Sequence, residues 1–155
     1  MKIKEVMSTD VLSLKPEDNA LEALNHLLKR KISGLPVIDS SGKLVGMFTE
    51  KGVLSHVLPG YIEQVGTFVY DTELKSTKKK FMELNTINVS QIMRKEVITT
   101  SEDASLSEVA RIMLTQKSRR LPVLDATGKV LGIVARCDIL KVLAKEAGLS
   151  INSQV

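Results

Sequence analysis

Residues 121–138 read "LPVLDATGKVLGIVARCD", and residues 35–52 read "LPVIDSSGKLVGMFTEKG". In each, two short apolar, β-rich runs flank a small polar turn ending in Gly, the composition of a tight hairpin. The start of a helix follows, and there the copies part: one arrives at Asp138, the other at Gly52.

The correspondence extends outward in the same register. "VLSLKPEDNALEALNHLLKRKISGLPV" from Val11 matches "VITTSEDASLSEVARIMLTQKSRRLPV" from Val97, and short leads, "VMSTD" and "IMRKE", precede both. Each copy opens with a β-rich run, 11–14 or 97–100. Helical spacing of Leu21, Leu24, Leu27 and Leu28, and of Leu106, Val109, Ala110, Met113 and Leu114, predicts a helix next, with Asn19 or Ser105 as its cap. The hairpin follows, then a last helix over 50–57 or 136–147. The expected order is strand, helix, strand, strand, helix, given twice. Two copies argue for a paired fold and not for a stacked repeat array.

The copies divide the chain into 1–58 and 89–147, with a bridge at 59–88 and a tail at 148–155. In the bridge, Pro59 and Gly60 break the preceding helix, and a further helix is predicted near 73–84. Its Lys78, Lys79 and Lys80 raise a nucleic-acid reading, but no recognition helix or Arg-rich face accompanies them, and a solvated helix is favoured.

Composition narrows the classes. The chain has 155 residues, 43% hydrophobic and 26% charged, with a formal net charge of +4, enough for one real core and a mild attraction for phosphates. Aromatics at 3% and no Trp argue against base-stacking single-strand binders. Cys137 is the only cysteine, which excludes an intramolecular disulfide and a cysteine-rich metal site. His26 and His56, widely separated, offer no metal cluster. No apolar run is long enough to span a bilayer and the N-terminus lacks a signal-peptide core, so a cytoplasmic location is expected. Neither an activated nucleophile, a Walker loop nor a carboxylate metal cluster is visible, so no enzyme is expected.

The repeated "hPVhD", glycine turn and "G-h-h-(Thr/Ser)-x-x-(Asp/Asn)" resemble the CBS domain family, over nearly the whole chain apart from the bridge. The resemblance implies an α/β (α+β) fold in which two pseudo-twofold-related repeats form one compact pair, also called a Bateman module. It implies two potential clefts between the repeats and a disc-like homodimer. It also implies binding of an adenosine-containing ligand such as AMP, ADP, ATP or S-adenosylmethionine, not as a required cofactor but to regulate an attached or partner protein.

A carboxylate accepts from the two vicinal hydroxyls of a ribose, whereas helix N-termini and guanidinium groups suit phosphate. For the second cleft this selects Asp138 for the ribose; Arg136, Arg119 and Arg120 for phosphate; hydroxyls from Thr99, Thr100 and Ser101; and Ile98, Leu121, Pro122 and Val123 as walls for adenine. The first copy keeps the motif's hydroxyl, Thr49, but has Gly52 for its acid, while the second keeps Asp138 and has Ala135 for its hydroxyl. The first cleft is therefore expected to stay empty or to take something else through Lys15, Ser33, Pro36, Thr49 and Lys51.

Plainer readings accompany these. Asp138 caps its helix with or without a ligand, the arginines serve as surface charges, and Pro36 and Pro122 shape their strands. Cys137 is expected as a small buried residue, and Glu17 with Asp18, like Glu102 with Asp103, as turn carboxylates and not an acid/base pair. A ligand-free scaffold for protein assembly and a module for S-adenosylmethionine are the alternatives to a nucleotide sensor.

Overall fold

The computed structural model describes residues 1–58 and 71–151. Residues 59–70 of the bridge, with the helix break expected at Pro59 and Gly60, and residues 152–155 of the tail lie outside them. The chain forms two compact units, and these cut across the sequence copies. The first unit is Leu12–Val97; the second joins Met1–Val11 to Ile98–Val155. Each lead thus belongs with the opposite copy.

In the first unit, helix α1 (Ala20–Arg30) starts at Asn19, whose side chain accepts from the Glu22 N–H at 3.1 Å, satisfying one of the donors a helix start leaves free. Its spacing turns Ala20, Ala23, Leu24 and Leu27 to one side, where they are buried with Val37 and Phe48. The helix ends on Lys31 in the left-handed region, φ 54°, and Lys117 stands at φ 53° in the equivalent place of the second unit. Strands β1 (Gly34–Ile38) and β2 (Leu44–Thr49) pair antiparallel, Gly34 opposite Thr49. Asp39 builds their turn: its Oδ1 accepts from the N–H and hydroxyl of Ser41 at 2.9 and 2.7 Å and from the Lys43 N–H at 3.0 Å, and Gly42 takes φ 84°. Helices α2 (Glu50–Val57) and α3 (Asp71–Glu83) follow, the latter at the helix expected near 73–84.

The second unit repeats these devices. Strand β3 (Thr100–Ser101) runs parallel to β4 (Arg120–Leu124), which pairs antiparallel with β5 (Val130–Ala135). Helix α4 (Leu106–Thr115) is capped by Ser105, whose Oγ accepts from the Glu108 N–H at 3.2 Å, and α5 (Arg136–Glu146) closes the order. Asp125 forms the same turn through Thr127 and Lys129, with Gly128 at φ 89°.

The leads are stitched in identically. Ile3 donates to the Ala104 carbonyl at 2.9 Å and is wholly buried in the second unit; Val89 donates to the Asp18 carbonyl at 2.8 Å and is wholly buried in the first. Ser8 exchanges two backbone hydrogen bonds with Ile133, and Arg94 does the same with Met47. Glycine is required where each lead crosses its hairpin: a Cβ on Gly132 would lie 2.6 Å from the Ser8 oxygen, and one on Gly46 2.9 Å from that of Arg94.

Two expectations change. The opening run 11–14 is no strand but a single bridge from Leu14 to Val37, and in the second copy the strand is only Thr100–Ser101. Two positions after Leu14 comes Pro16, which has no N–H with which to extend a ladder. Cys137 is exposed, not buried, because α5 turns Ile139 to the core and a residue two places earlier lies roughly 200° around the helix.

Candidate functional site

The second unit gathers most of its candidate residues at one end of the β4–β5 hairpin. Arg120 lies opposite Ala135, and α5 begins directly after it. The Arg136 N–H donates to the Arg119 carbonyl at 3.1 Å, which ties the start of the helix to the residue before β4. Asp138, half-buried, accepts from the Ala135 N–H through Oδ2 at 2.8 Å. The capping role is therefore real, yet a carboxylate has about four acceptor sites, and among the described residues only this donor reaches it. Capping and ribose recognition are compatible in one side chain.

Arg119 is exposed and Arg120 half-buried. Arg136 is different: its Nε donates to the Ser118 carbonyl at 3.2 Å and its Nη2 to the Met113 carbonyl at 3.3 Å. The guanidinium expected at a phosphate is here fastening the end of α4. Ser118 adds to the same network by donating its hydroxyl to the Arg120 carbonyl at 2.9 Å.

Because β3 runs parallel to β4 with Thr100 opposite Val123, the half-buried Ile98 and Thr99 lie upstream, toward the end of β4 that carries Arg120. Thr100 is only 8% exposed, where the first copy has the buried Leu14, and Ser101 is exposed. Leu121 and Val123 do not serve as walls by their side chains. Alternation along β4 puts both in the unit's core with Ile3, Val109, Met113 and Val134, wholly buried, and Pro122 on the opposite face.

In the first unit the same end of the hairpin carries Ser33, Thr49, Lys51 and Gly52. Ser33 and Lys51 are exposed, and the Ser33 carbonyl accepts from the Glu50 N–H at 2.9 Å. Thr49 accepts from the Gly52 N–H through Oγ1 at 3.0 Å. Lys15 is exposed and follows Leu14, the parallel bridge partner of Val37, so it stands level with Ile38, about 13 Å along β1 from Gly34. Pro36 is buried, its carbonyl accepting from the Leu14 N–H at 2.9 Å. Of the candidate residues this end holds Lys51 and the hydroxyls of Ser33 and Thr49, with Gly52 where the second copy has Asp138.

Three further carboxyls have resolved electrostatics. Hydrogen bonds from the Ser41 and Thr127 hydroxyls hold Asp39 and Asp125 below the ordinary carboxylate range. Lys2, assisted by Lys4, does the same for Asp103, at 3.3 and 3.5 Å. Asp103 is thus a clip for the lead. Among the described residues, no three His, Cys, Asp or Glu side chains stand together as a metal site, and no helix is long and apolar enough to cross a membrane.

The CBS domain family matches the chain twice, over residues 3–59 and 89–145. The chain is 31% identical over 140 residues to inosine-5'-monophosphate dehydrogenase of Methanocaldococcus jannaschii, a match that covers 90% of this chain and 23% of that enzyme. Among solved structures, CBSX2 of Arabidopsis thaliana in complex with AMP matches with a TM-score of 0.70 at 25% identity, over 94% of this chain and 98% of that one. The CBS domain pair of protein MJ0100, in complex with 5-methylthioadenosine and S-adenosyl-L-methionine, matches with a TM-score of 0.64 at 25% identity, over 94% and 98%.

Proposed function

Since the chain belongs to the CBS domain family and carries two of its domains, we propose that it is a regulatory module that binds an adenine nucleotide and passes its occupancy to a partner protein. The observation that carries this reading is the unequal pair of helix starts. Asp138 keeps acceptor capacity beside Arg119 and Arg120, while Gly52 offers no side chain at all. The second copy binds AMP, ADP or ATP; the first stays empty or takes something else at the end that carries Ser33, Thr49 and Lys51, from which Lys15 stands apart. The AMP complex of CBSX2 supports an adenosine ligand, and the MJ0100 complex makes S-adenosylmethionine the competitor to test.

The work of this module is binding, not catalysis, and its nucleotide is a signal and not a required cofactor. The matching stretch of inosine-5'-monophosphate dehydrogenase is under a quarter of that chain, which is consistent with a portable module. The exposed Lys78, Lys79 and Lys80 of α3 are a solvated face. A homodimer through the helices, in the cytoplasm, completes the reading. Leu28 and Leu54 are each 57% exposed on α1 and α2, and their equivalents Leu114 and Leu140 are 72% and 61% exposed on α4 and α5. Leucines left bare at matching positions suit a second copy of the chain.

Calorimetric titration of ligand-stripped protein with AMP, ADP, ATP and S-adenosylmethionine tests the function. One adenine nucleotide binds per chain, and Asp138→Ala weakens it about tenfold or more, the scale of a hydrogen bond to a charged group. The variant also loses its helix cap, about 1 kcal/mol, so its folding is checked by thermal melting. Binding unchanged in Asp138→Ala removes that residue from the site; no binding by the folded protein leaves the ligand-free scaffold.

A further inference from the structure

Arg136 joins the start of α5 to the end of α4. Its guanidinium takes the Met113 carbonyl, in the last turn of α4, and the Ser118 carbonyl, just past it. The backbone amides of this stretch hold it through Gln116, which donates to the Ile112 carbonyl at 2.9 Å, and Ser118, which donates to the Met113 carbonyl at 3.0 Å, and the Thr115 and Ser118 hydroxyls add bonds to the Arg111 and Arg120 carbonyls. Between Gln116 and Ser118, Lys117 sits in the left-handed region, φ 53°, a conformation that side-chain-bearing residues rarely adopt. The first unit makes the same turn at Lys31, φ 54°, without a cation across it; in this copy Arg136 spans it. The fastening is particular to this copy. The residue equivalent to Arg136 in the first unit is Glu50, which has no donor to offer, and the residue equivalent to Ser118 is Ile32.

Arg136 is also within the first turn of α5, two positions before Asp138 and next to the residues that the nucleotide reading assigns to the ligand. Hydrogen bonds between guanidinium and phosphate are charge-assisted and roughly twice as strong as those to neutral carbonyls. We propose that Arg136 is a ligand-operated latch: an arriving phosphate takes its guanidinium away from the Met113 and Ser118 carbonyls and so loosens the end of α4. The inference rests on the nucleotide reading and adds the route by which occupancy leaves the site. The loosened turn adjoins Leu114, and α5 carries Leu140, the exposed leucines through which this unit meets a second chain or a partner. A ligand shifts such an equilibrium only through unequal affinity for the two states. Here the inequality is one guanidinium that can serve either the carbonyls or the phosphate.

Amide hydrogen exchange at Gln116 and Ser118 tests this, with AMP as probe, adenosine as its phosphate-free control, and calorimetry run alongside. AMP raises exchange at both amides at least threefold in the wild-type chain, and adenosine does not. Arg136→Gln shows the raised rate without ligand and no further response to AMP. Arg136→Lys, which keeps the charge but not the fork, lies between them. Slower exchange with AMP, a response that survives in Arg136→Gln, or equal exchange in the unliganded wild type and Arg136→Gln would overturn the latch. AMP binding that depends on Asp138 but leaves both amides unchanged overturns the latch alone. Where ADP or ATP binds and AMP does not, that nucleotide serves as the probe; absence of binding by all three removes the nucleotide reading and the latch together.

Discussion

The helix after the hairpin, α2 in the first unit and α5 in the second, begins at the same place in each, yet the two solve the problem of its free N–H groups from opposite sides. In the first unit the residue before the helix acts: Thr49 reaches forward and accepts from Gly52. In the second the third helical residue acts: Asp138 reaches back and accepts from Ala135. Together the two bonds would make the reciprocal arrangement in which both donors are satisfied. Each copy retains one, and one suffices to start the helix. What differs is the residue left over for chemistry, a hydroxyl in one unit and a carboxylate in the other. A structural demand shared by two copies can therefore be met while their binding properties diverge.

The comparison breaks most severely where the copies agree most closely, at the glycines beneath the leads. A Cβ on Gly132 meets the Ser8 oxygen at 2.6 Å and the Met7 sulfur at 2.8 Å; on Gly46 its first obstacle is the Met93 sulfur at 2.6 Å, with the Arg94 oxygen at 2.9 Å. Thioethers swing aside, and backbone held by two hydrogen bonds does not. Gly132→Ala should destabilise the protein by about 3 kcal/mol, on the scale of core overpacking, and Gly46→Ala by less. Urea unfolding of the two variants measures both. Equal losses, or losses too small to resolve, would show that the leads shift without penalty.

A smaller effect of opposite sign is expected from completing the divided motif. A Cβ on Gly52 lies 3.2 Å from Thr49 Oγ1 and 3.6 Å from the Ile92 oxygen, a tight fit relieved by a shift of a few tenths of an ångström that keeps the Thr49 cap. Gly52→Asp removes a flexible glycine from a helix and places a carboxylate in its first turn, each worth about 0.5–1 kcal/mol. A net gain of about 1 kcal/mol in thermal or urea unfolding is expected. The same variant examines function: on the nucleotide reading it gains a second binding event in calorimetry. Stabilisation without that event would mean that the first copy lacks more than its acid.

Apart from the opening strand of the first copy, the order of elements, the caps Asn19 and Ser105, the hairpins and the last helix of each copy were legible in the sequence. Each rests on local chemistry: a side chain bonding to backbone three residues on, or an Asp closing a turn. The exchange of the leads was not legible, because Ile3 and Val89 look alike and either core accepts an aliphatic residue there. The signal available was the pairing of Met7 and Met93 with the small residues Gly132 and Gly46. At the candidate site, sequence located Asp138, Arg119 and Arg120 at one end of a hairpin. It misassigned Leu121 and Val123, since alternation along a strand does not say which face meets the core. It could not see that Arg136 is engaged, because its acceptors are carbonyls, which every residue has.

The smallest effects lie in the acid limb of unfolding, where the units should match at one pair of positions and differ at another. Asp39 and Asp125 are held below their ordinary pKa chiefly by the Ser41 and Thr127 hydroxyls, and the remaining bonds of the two turns correspond. A carboxyl whose pKa is depressed by folding contributes stability that is fully present above its unfolded value, about 3.9, and is lost as pH falls through the folded value. Asp39→Asn and Asp125→Asn keep an acceptor in the turn but no longer titrate, so each should flatten the acid limb below about pH 4 by the same amount, with only a small salt dependence from the charges of Lys43 and Lys129. Asp103 is depressed first by Lys2 and then by Lys4, exposed ammonium groups on the lead, and its equivalent in the first copy is Glu17, for which no ion pair is present among the described residues. Asp103→Asn should flatten the same limb at low ionic strength and distinctly less in about 1 M salt, where screening acts within roughly 3 Å, the Lys2 hydrogen bond accounting for what remains. Unfolding midpoints recorded between pH 2 and 6 at two salt concentrations separate the cases. Salt dependence at Asp125 as large as that at Asp103, or none at Asp103, would show that the turn and the lead are held by forces other than those their geometry displays.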